Sequence, residues 1–218
     1  MLLKNELDSL ANNFMATAPA EVRERLMECI NHLISSGIED KAIKVGDKAP
    51  DFSLPNANGR KVALYENLNQ GPVLISFYRG GWCPFCNLEL RAYQKMLPDI
   101  KACSATLIGI SPEQPDYSLT TVEKNHLEFE VLSDLENKVA TKYGLVFALD
   151  TSIRRLYAEL GAELPKINAD ESWTLPIPAT YLVDQDGIII WANVNANYLE
   201  RAEPAIVLSA LKHHARTG

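Results

Sequence analysis

Residues 72–90 read PVLISFYRGGWCPFCNLEL and join an apolar run to two cysteines placed three residues apart. The run is apolar on both of its alternating faces, which is typical of a central strand covered on both sides. Gly80 and Gly81 then predict a tight turn. Pro84 suits the first turn of a helix, because the N–H that it lacks is unpaired there in any residue. The stretch therefore predicts a buried strand, a turn, and a helix whose start carries Cys83 and Cys86.

Strand and helix patterns alternate on the carboxyl side of this stretch, which implies right-handed crossovers and a mainly parallel sheet. An Asn-Gly turn at residues 58–59 predicts an early strand or hairpin before it, and an Asp-Gly turn at residues 186–187 predicts an antiparallel hairpin at the sheet edge. Strands are predicted over residues 105–111, 129–132 and twice within 179–194, and helices over residues 87–103, 117–127, 133–144, 151–160 and 203–215. Pro98 predicts a kink or a restart in the first of these helices.

The first part of the chain has a different pattern. Leucines at helical spacing follow residue 3, and a second apolar stripe runs from Val22 to Leu33 before Gly37. We interpret residues 1–44 as an N-terminal helical hairpin and residues 45–218 as one α/β domain. The hairpin must cover apolar surface, either of its own domain or of a second subunit.

Composition limits the function classes. The 218 residues are 47% apolar and 22% charged, with a net charge of −7, which is ordinary for a globular protein and unsuited to binding nucleic acid. No apolar run approaches the roughly 20 residues that span a bilayer, and charged residues interrupt the N-terminus before a signal sequence can form. Because four cysteines are too few for a disulfide scaffold, we expect a reducing cytoplasm.

The two cysteines at a helix start allow three interpretations. A helix N-terminus stabilises a thiolate through its free N–H groups and dipole, so a redox pair fits this location. Half of a zinc site needs two more ligands, and the sequence offers no second Cys-x-x-Cys. Simple packing leaves the glycine turn unexplained. We favour the redox pair, with no metal or cofactor, and expect Cys29 and Cys103 to lie in the core, although Cys103 remains an alternative resolving thiol.

From about residue 45 to 211 the chain resembles the peroxiredoxin family. The resemblance rests on VGDKAPDFSLPNANGRKVAL, on the stretch quoted above, and on FEVLSDLENKVATKYGL and PATYLVDQDGIIIWA, in that order. It implies a thioredoxin-like fold of peroxiredoxin type, with a central mixed sheet flanked by helices and the N-terminal helical hairpin as an extension. It also suggests a homodimer.

The active-site loop departs from the family pattern Pro-x-x-x-Thr-x-x-Cys. The resemblance places the peroxidatic cysteine at Cys86, the threonine at Cys83 and the proline at Arg79, and it places a supporting arginine at Pro178. In compensation, residues 82–86 resemble the thioredoxin active site and residues 177–180 resemble its cis-proline loop. We therefore expect a cis bond before Pro178, positive charge from Arg79 beside the sulfurs, and shielding or partner docking by Trp82.

Three functions follow. A peroxidase reduces hydrogen peroxide or organic hydroperoxides when Cys86 forms a sulfenic acid that Cys83 converts to a disulfide. A disulfide reductase attacks a partner's disulfide with Cys83 and resolves with Cys86. A non-catalytic redox sensor or binding module is the third. We favour the peroxidase, with a thioredoxin-, glutaredoxin- or glutathione-type reductant and with no nucleic-acid or membrane partner, and we expect the sulfurs to be reachable from solvent.

Overall fold

A computed structural model gives the fold and describes residues 2–217. The helices are α1 (Leu3–Thr17), α2 (Ala20–Ser35), α3 (Ile38–Lys41), α4 (Leu64–Leu68), α5 (Pro84–Ala102), α6 (Pro115–Asn125), α7 (Lys138–Lys142), α8 (Thr151–Glu159), α9 (Leu164–Asn168) and α10 (Pro204–Thr217). The strands are β1 (Ser53–Pro55), β2 (Lys61–Ala63), β3 (Val73–Phe77), β4 (Thr106–Ser111), β5 (Glu130–Ser133), β6 (Val146–Ala148), β7 (Thr174–Pro176), β8 (Ala179–Val183) and β9 (Ile189–Val194).

The central sheet is mixed, as the resemblance implied, and has the order β5-β4-β3-β8-β9. Strands β3, β4 and β5 are parallel, whereas β8 and β9 run antiparallel to their neighbours. Strand β3 lies in the middle, with Ile75 opposite Ile108 of β4 on one side and Tyr181 of β8 on the other. All of its residues are buried, as its two-sided apolar pattern predicts. The short pairs β1-β2 and β6-β7 are separate antiparallel ladders.

Apolar side chains pack against both faces of the central sheet. One face packs with Ile75, Phe77 and Tyr181 in the largest core cluster, and the other packs Leu74 and Leu182 against α5 and α10. Burial of such side chains contributes about 1.5–3 kcal/mol each. The layers fix β3, so the carboxyl end of β3 and the start of α5 have a defined position. None of the helices within residues 2–217 combines the length and apolar character that a bilayer crossing needs.

The N-terminal helices α1 and α2 pack onto the domain and share its core. Ile30 and Leu33 of α2 belong to the largest apolar cluster, and α1 lies against α5. The Glu203 carboxylate, just before α10, accepts hydrogen bonds from the first backbone N–H groups of α1, those of Leu3 at 3.2 Å and Lys4 at 2.5 Å. An acceptor there satisfies helix donors that have no intrahelical partner.

Some local predictions need correction. Pro98 does not restart the helix, since α5 continues through it. The helix predicted over residues 133–144 begins only at Lys138, because Glu136 and Asn137 adopt positive φ angles of 63° and 54°. Residues 165–176, which have no clear pattern, contain most of α9 and strand β7. Cys29 and Cys103 pack against apolar clusters but are only half-buried.

Candidate active site

The two cysteines lie where β3 passes into α5. Cys83 is the residue before the helix, with extended φ and ψ of −85° and 115°, and Pro84 follows at the first helical position. Gly80 has a φ of 148°, and a Cβ on Gly81 would come within 1.9 Å of the Thr121 hydroxyl. Only glycine fits that close approach, so the sequence of the turn determines where Cys83 enters the helix.

Cys83 and Cys86 are both free, buried thiols and lie close together at the start of α5. Hydrogen bonding to the Cys86 side chain lowers the pKa of Cys83 well below its usual range, and the charges of Arg79 and Arg201 lower it further, against the effect of burial. Burial and the interaction with Cys83 raise the pKa of Cys86. Cys83 is therefore the cysteine of the pair that more readily becomes a thiolate. The thiolate is the nucleophilic form of cysteine.

Arg79 is buried, with 3% of its surface exposed, and is not a solvated loop residue. Its Nη1 lies 3.9 Å from the Cys83 sulfur, and its Nη2 donates to the Tyr157 hydroxyl. The guanidinium carbon stacks 3.9 Å from the centre of the Tyr198 ring and 4.9 Å from that of Trp82. A cation held by aromatic faces at this distance stabilises the thiolate, so the predicted charge of Arg79 beside the sulfurs is present.

A second arginine, Arg201, lies against the other sulfur and was not predicted. Its Nη2 is 3.3 Å from the Cys86 sulfur, and its Nε donates to the Glu89 carboxylate at 2.7 Å. Its Nη1 donates to the backbone carbonyls of Tyr198 and Glu200, so the loop before α10 holds the guanidinium in place. The ion pair with Glu89 is buried, each side chain being 2% exposed. Each of the two sulfurs therefore has a buried arginine beside it.

Two carboxyl groups are buried near the sulfurs. Burial raises the pKa of Glu89 to about 7, although the charge of Arg201 lowers it. Burial also raises the pKa of Glu113 to about 7, and the Gly81 N–H that Glu113 accepts at 2.9 Å lowers it. Glu113 follows the carboxyl end of β4, beside the end of β3. Such strand ends collect functional groups in open α/β sheets, and this rule identifies Glu113 as a candidate from its sequence position alone.

Solvent does not reach the sulfurs directly, which corrects the expectation of exposed thiols. Cys83 is 1% exposed and Cys86 is not exposed at all. A cavity of about 430 Å³ nevertheless extends to Cys83, and Cys86 does not line it. The N-terminal helices form one wall of this cavity and the Trp82 loop forms another. The sequence had no signal for where the hairpin docks, so the enclosure was not foreseen.

Comparison with known proteins places this site in a family. The model of the AhpC/TSA family matches residues 45–192. The chain belongs to the AhpC/TSA family.

Its AhpC/TSA relatives are named as peroxiredoxins. A Mycobacterium tuberculosis relative whose name places it among the peroxiredoxins is 29% identical over 150 residues, covering 69% of this chain and 84% of that protein. Peroxiredoxin Bcp of Escherichia coli is 32% identical over 103 residues, covering 47% of this chain and 65% of that protein. The crystal structure of peroxidoxin BcpB from Mycobacterium tuberculosis superposes with a TM-score of 0.62 at 20% identity, covering 78% and 97% of the two chains. These matches support an enzyme that uses a thiol to reduce peroxides.

Two parts of this site lie outside the AhpC/TSA match, one before it and one after it. Residues 1–44 and Arg201 lie outside residues 45–192. Within the matched part, Pro178 is buried beside β8, but its peptide bond is trans, since residues 2–217 contain no cis bond. The predicted cis-proline loop is therefore wrong. Trp82 is half-buried over Arg79 and packs edge-on against Tyr157 at 5.7 Å, as expected of a residue that shields the thiols.

Proposed function

We propose that the chain is a thiol peroxidase that reduces hydroperoxides through a cycle between the Cys83-Cys86 dithiol and its disulfide. The observation that carries this proposal is the pair of neighbouring sulfurs, with Arg79 3.9 Å from that of Cys83 and Arg201 3.3 Å from that of Cys86. Peroxide reduction needs a thiolate and positive charge where the O–O bond polarises. The two guanidinium groups supply positive charge, one beside each sulfur, in place of the arginine that the family pattern puts at position 178.

The reaction proceeds in two steps on the protein. The Cys83 thiolate attacks the terminal oxygen of the hydroperoxide, an S–O bond forms, and the O–O bond breaks. The leaving alkoxide or hydroxide takes a proton from water, and Cys83 becomes a sulfenic acid. The Cys86 thiol then attacks the Cys83 sulfur, and loss of water leaves the Cys83-Cys86 disulfide. Two electrons have passed from the two sulfurs to the peroxide.

The order of the two cysteines differs from the one that the family resemblance implied. Cys86 occupies the family's peroxidatic position, but its pKa is raised and it does not line the cavity. Cys83 has the lowered pKa and lines the cavity. Because attack requires both a thiolate and contact with the peroxide, we assign the first step to Cys83 and the second to Cys86.

Enclosure of the sulfurs argues against the disulfide reductase. A protein disulfide needs an exposed sulfur to exchange with, and Cys83 is covered by the N-terminal helices and Trp82. Family membership supports a thioredoxin-type reductant that regenerates the pair, and a glutaredoxin- or glutathione-type thiol remains an alternative. Free thiols with one lowered pKa fit a reducing cytoplasm. The homodimer remains a prediction.

Sulfenic acid trapping tests the assignment. Reduced protein is mixed with one equivalent of hydrogen peroxide and a dimedone-type probe, and the adduct is located by mass spectrometry. We expect Cys86→Ser to accumulate the adduct at residue 83 and Cys83→Ser to remain unmodified. The unsubstituted chain forms the intramolecular disulfide instead.

Each other outcome has a defined meaning. An adduct at Cys86 in Cys83→Ser, with none in Cys86→Ser, would restore the order that the resemblance implied and overturn ours. Fast insulin reduction that depends on Cys83, with no reaction toward peroxide, would favour the reductase. Slow oxidation without turnover in both assays would favour a sensor or binding module.

A further inference from the structure

One wall of the cavity over Cys83 is built by a segment that lies outside the AhpC/TSA match. Its volume of about 430 Å³ falls within the range of small-molecule sites, roughly 300–1,000 Å³. Phe14 of α1 and Leu26, Met27 and Ile30 of α2 line one side. These residues precede the AhpC/TSA match at residues 45–192. The matched part of the chain is thus closed on this side by helices that lie outside the match.

The wall is apolar and firmly attached. Ile30 is 2% exposed and also belongs to the main core, so α2 is anchored through the same side chain that faces the cavity. The hydrogen bonds from the start of α1 to Glu203 tie the hairpin to the segment that carries Arg201. A wall held at both ends keeps a defined shape, which a binding site requires.

The opening of the cavity is also apolar. Among its lining residues, Met15 is 40% exposed and Leu160 is 57% exposed, which places the entrance between α1 and the end of α8. Exposed apolar side chains of this size around one entrance favour a ligand with an apolar body. Met15 and Met27 have flexible thioether side chains that adapt to ligands of different shape.

The polar groups of the cavity are confined to the end that holds Cys83. Arg79 and Tyr198 line that end, and the Nε of Arg79 is buried without a hydrogen-bond partner among the described residues. A buried polar group without a partner costs about 1–3 kcal/mol, so a ligand oxygen beside this nitrogen is favoured. The cavity therefore combines an apolar chamber with a polar, cationic end at the nucleophile.

We propose that this chamber binds the apolar body of a bulky organic hydroperoxide, with its O–O group at Cys83, so that the N-terminal helices select such substrates over hydrogen peroxide. The proposal rests on the proposed peroxidase function and deepens it. Its reaction is the one described above, with an alcohol as the leaving product.

A substitution that fills the chamber with a larger side chain tests the proposal. Ala11 is half-buried on α1 and lines the cavity, so Ala11→Phe places a ring in the chamber. Ala16 is exposed on the same helix and does not line it, so Ala16→Phe is the matched control. Rate constants for oxidation by cumene hydroperoxide and by hydrogen peroxide are measured by stopped-flow fluorescence. We expect Ala11→Phe to lower the ratio of the cumene hydroperoxide to the hydrogen peroxide rate constant by about tenfold or more, and Ala16→Phe to keep the ratio of the unsubstituted chain.

A second readout does not depend on peroxidase activity. Cumyl alcohol has the same apolar body without the O–O bond, and we expect it to slow alkylation of Cys83 by iodoacetamide in the unsubstituted chain and in Ala16→Phe, but not in Ala11→Phe. Equal rate ratios in all three proteins, or no protection by cumyl alcohol, would overturn the chamber. If no peroxide oxidises the protein but cumyl alcohol still protects Cys83, the proposed function fails and the chamber stands. If circular dichroism shows that Ala11→Phe does not fold, the proposal is judged by whether cumyl alcohol protects Cys83 from alkylation in the unsubstituted chain.

Discussion

Replacement of Arg201 by methionine tests whether this residue acts on the sulfurs or only fills the core. Arg201→Met removes the charge-assisted hydrogen bond to Glu89 and two hydrogen bonds to backbone carbonyls. It also leaves a carboxyl that is 2% exposed without its cation. Removing one partner of a buried ion pair costs about 3–5 kcal/mol. We expect a loss of unfolding free energy in this range at pH 8.

The loss depends on pH because Glu89 can take up a proton. The pKa of Glu89 is raised to about 7, above its ordinary value of 4.5, and loss of the Arg201 charge raises it further. A carboxyl whose pKa is raised in the folded state favours folding at low pH, and that contribution is lost as the pH rises through the folded pKa. Arg201→Met is therefore expected to be less destabilised at pH 5.5 than at pH 8. Urea denaturation at both pH values measures the difference.

The double variant Arg201→Met with Glu89→Leu separates the two roles. Replacing a whole buried ion pair by apolar side chains is often neutral or stabilising, so we expect most of the stability at pH 8 to return. The charge near the sulfurs does not return, and since Arg201 lowers the pKa of Cys83, the pH profile of Cys83 alkylation should stay shifted upward in both variants. A double variant with the alkylation profile of the unsubstituted chain would refute the electrostatic role, and an Arg201→Met loss below about 1 kcal/mol at pH 8 would refute the buried-pair reasoning.

Three further expectations concern the surroundings of the pair. Glu113→Gln keeps an acceptor for Gly81 and removes a carboxyl whose pKa is raised from 4.5 to about 7. At about 1.4 kcal/mol per pKa unit, this substitution should stabilise the protein by about 3 kcal/mol at pH 8 and by little at pH 5. Urea denaturation at the two pH values measures the difference. Gly81→Ala puts a methyl against the Thr121 hydroxyl and should cost about 1–3 kcal/mol, much of which Thr121→Ala should recover; an unchanged melting temperature would contradict the close approach. Tyr157→Phe removes the hydroxyl that accepts from Arg79 and should cost about 1.5–3 kcal/mol, whereas equal stability would mean that water replaces it.

The fold could be predicted because its signals are local. The apolar run of β3, the glycine turn and Pro84 lie in one stretch, and each has a direct conformational meaning. Alternation of strand and helix predicted the parallel pairings of β3, β4 and β5, whereas β8 and β9 pair antiparallel, so the sheet is mixed. Pro98 does not end α5, and the helix is held on its buried face by Leu97 and Ile100.

The site could be predicted only in part, because it is assembled from distant segments. Cys83, Cys86 and Arg79 share one turn and were identified together. Arg201 is 115 residues from Cys86, in a loop without periodicity, so no spacing rule connects them. Burial of Cys83 depends on where the N-terminal helices dock, which amphipathic patterns do not specify.

The position of the two thiols three residues apart at one helix start has a kinetic consequence for damage by excess oxidant. A sulfenic acid formed at Cys83 lies close to the thiol that converts it to a disulfide. A nearby resolving thiol shortens the interval in which a second peroxide molecule can produce an irreversible sulfinic acid. Such a protein is expected to remain active through repeated exposure to excess peroxide.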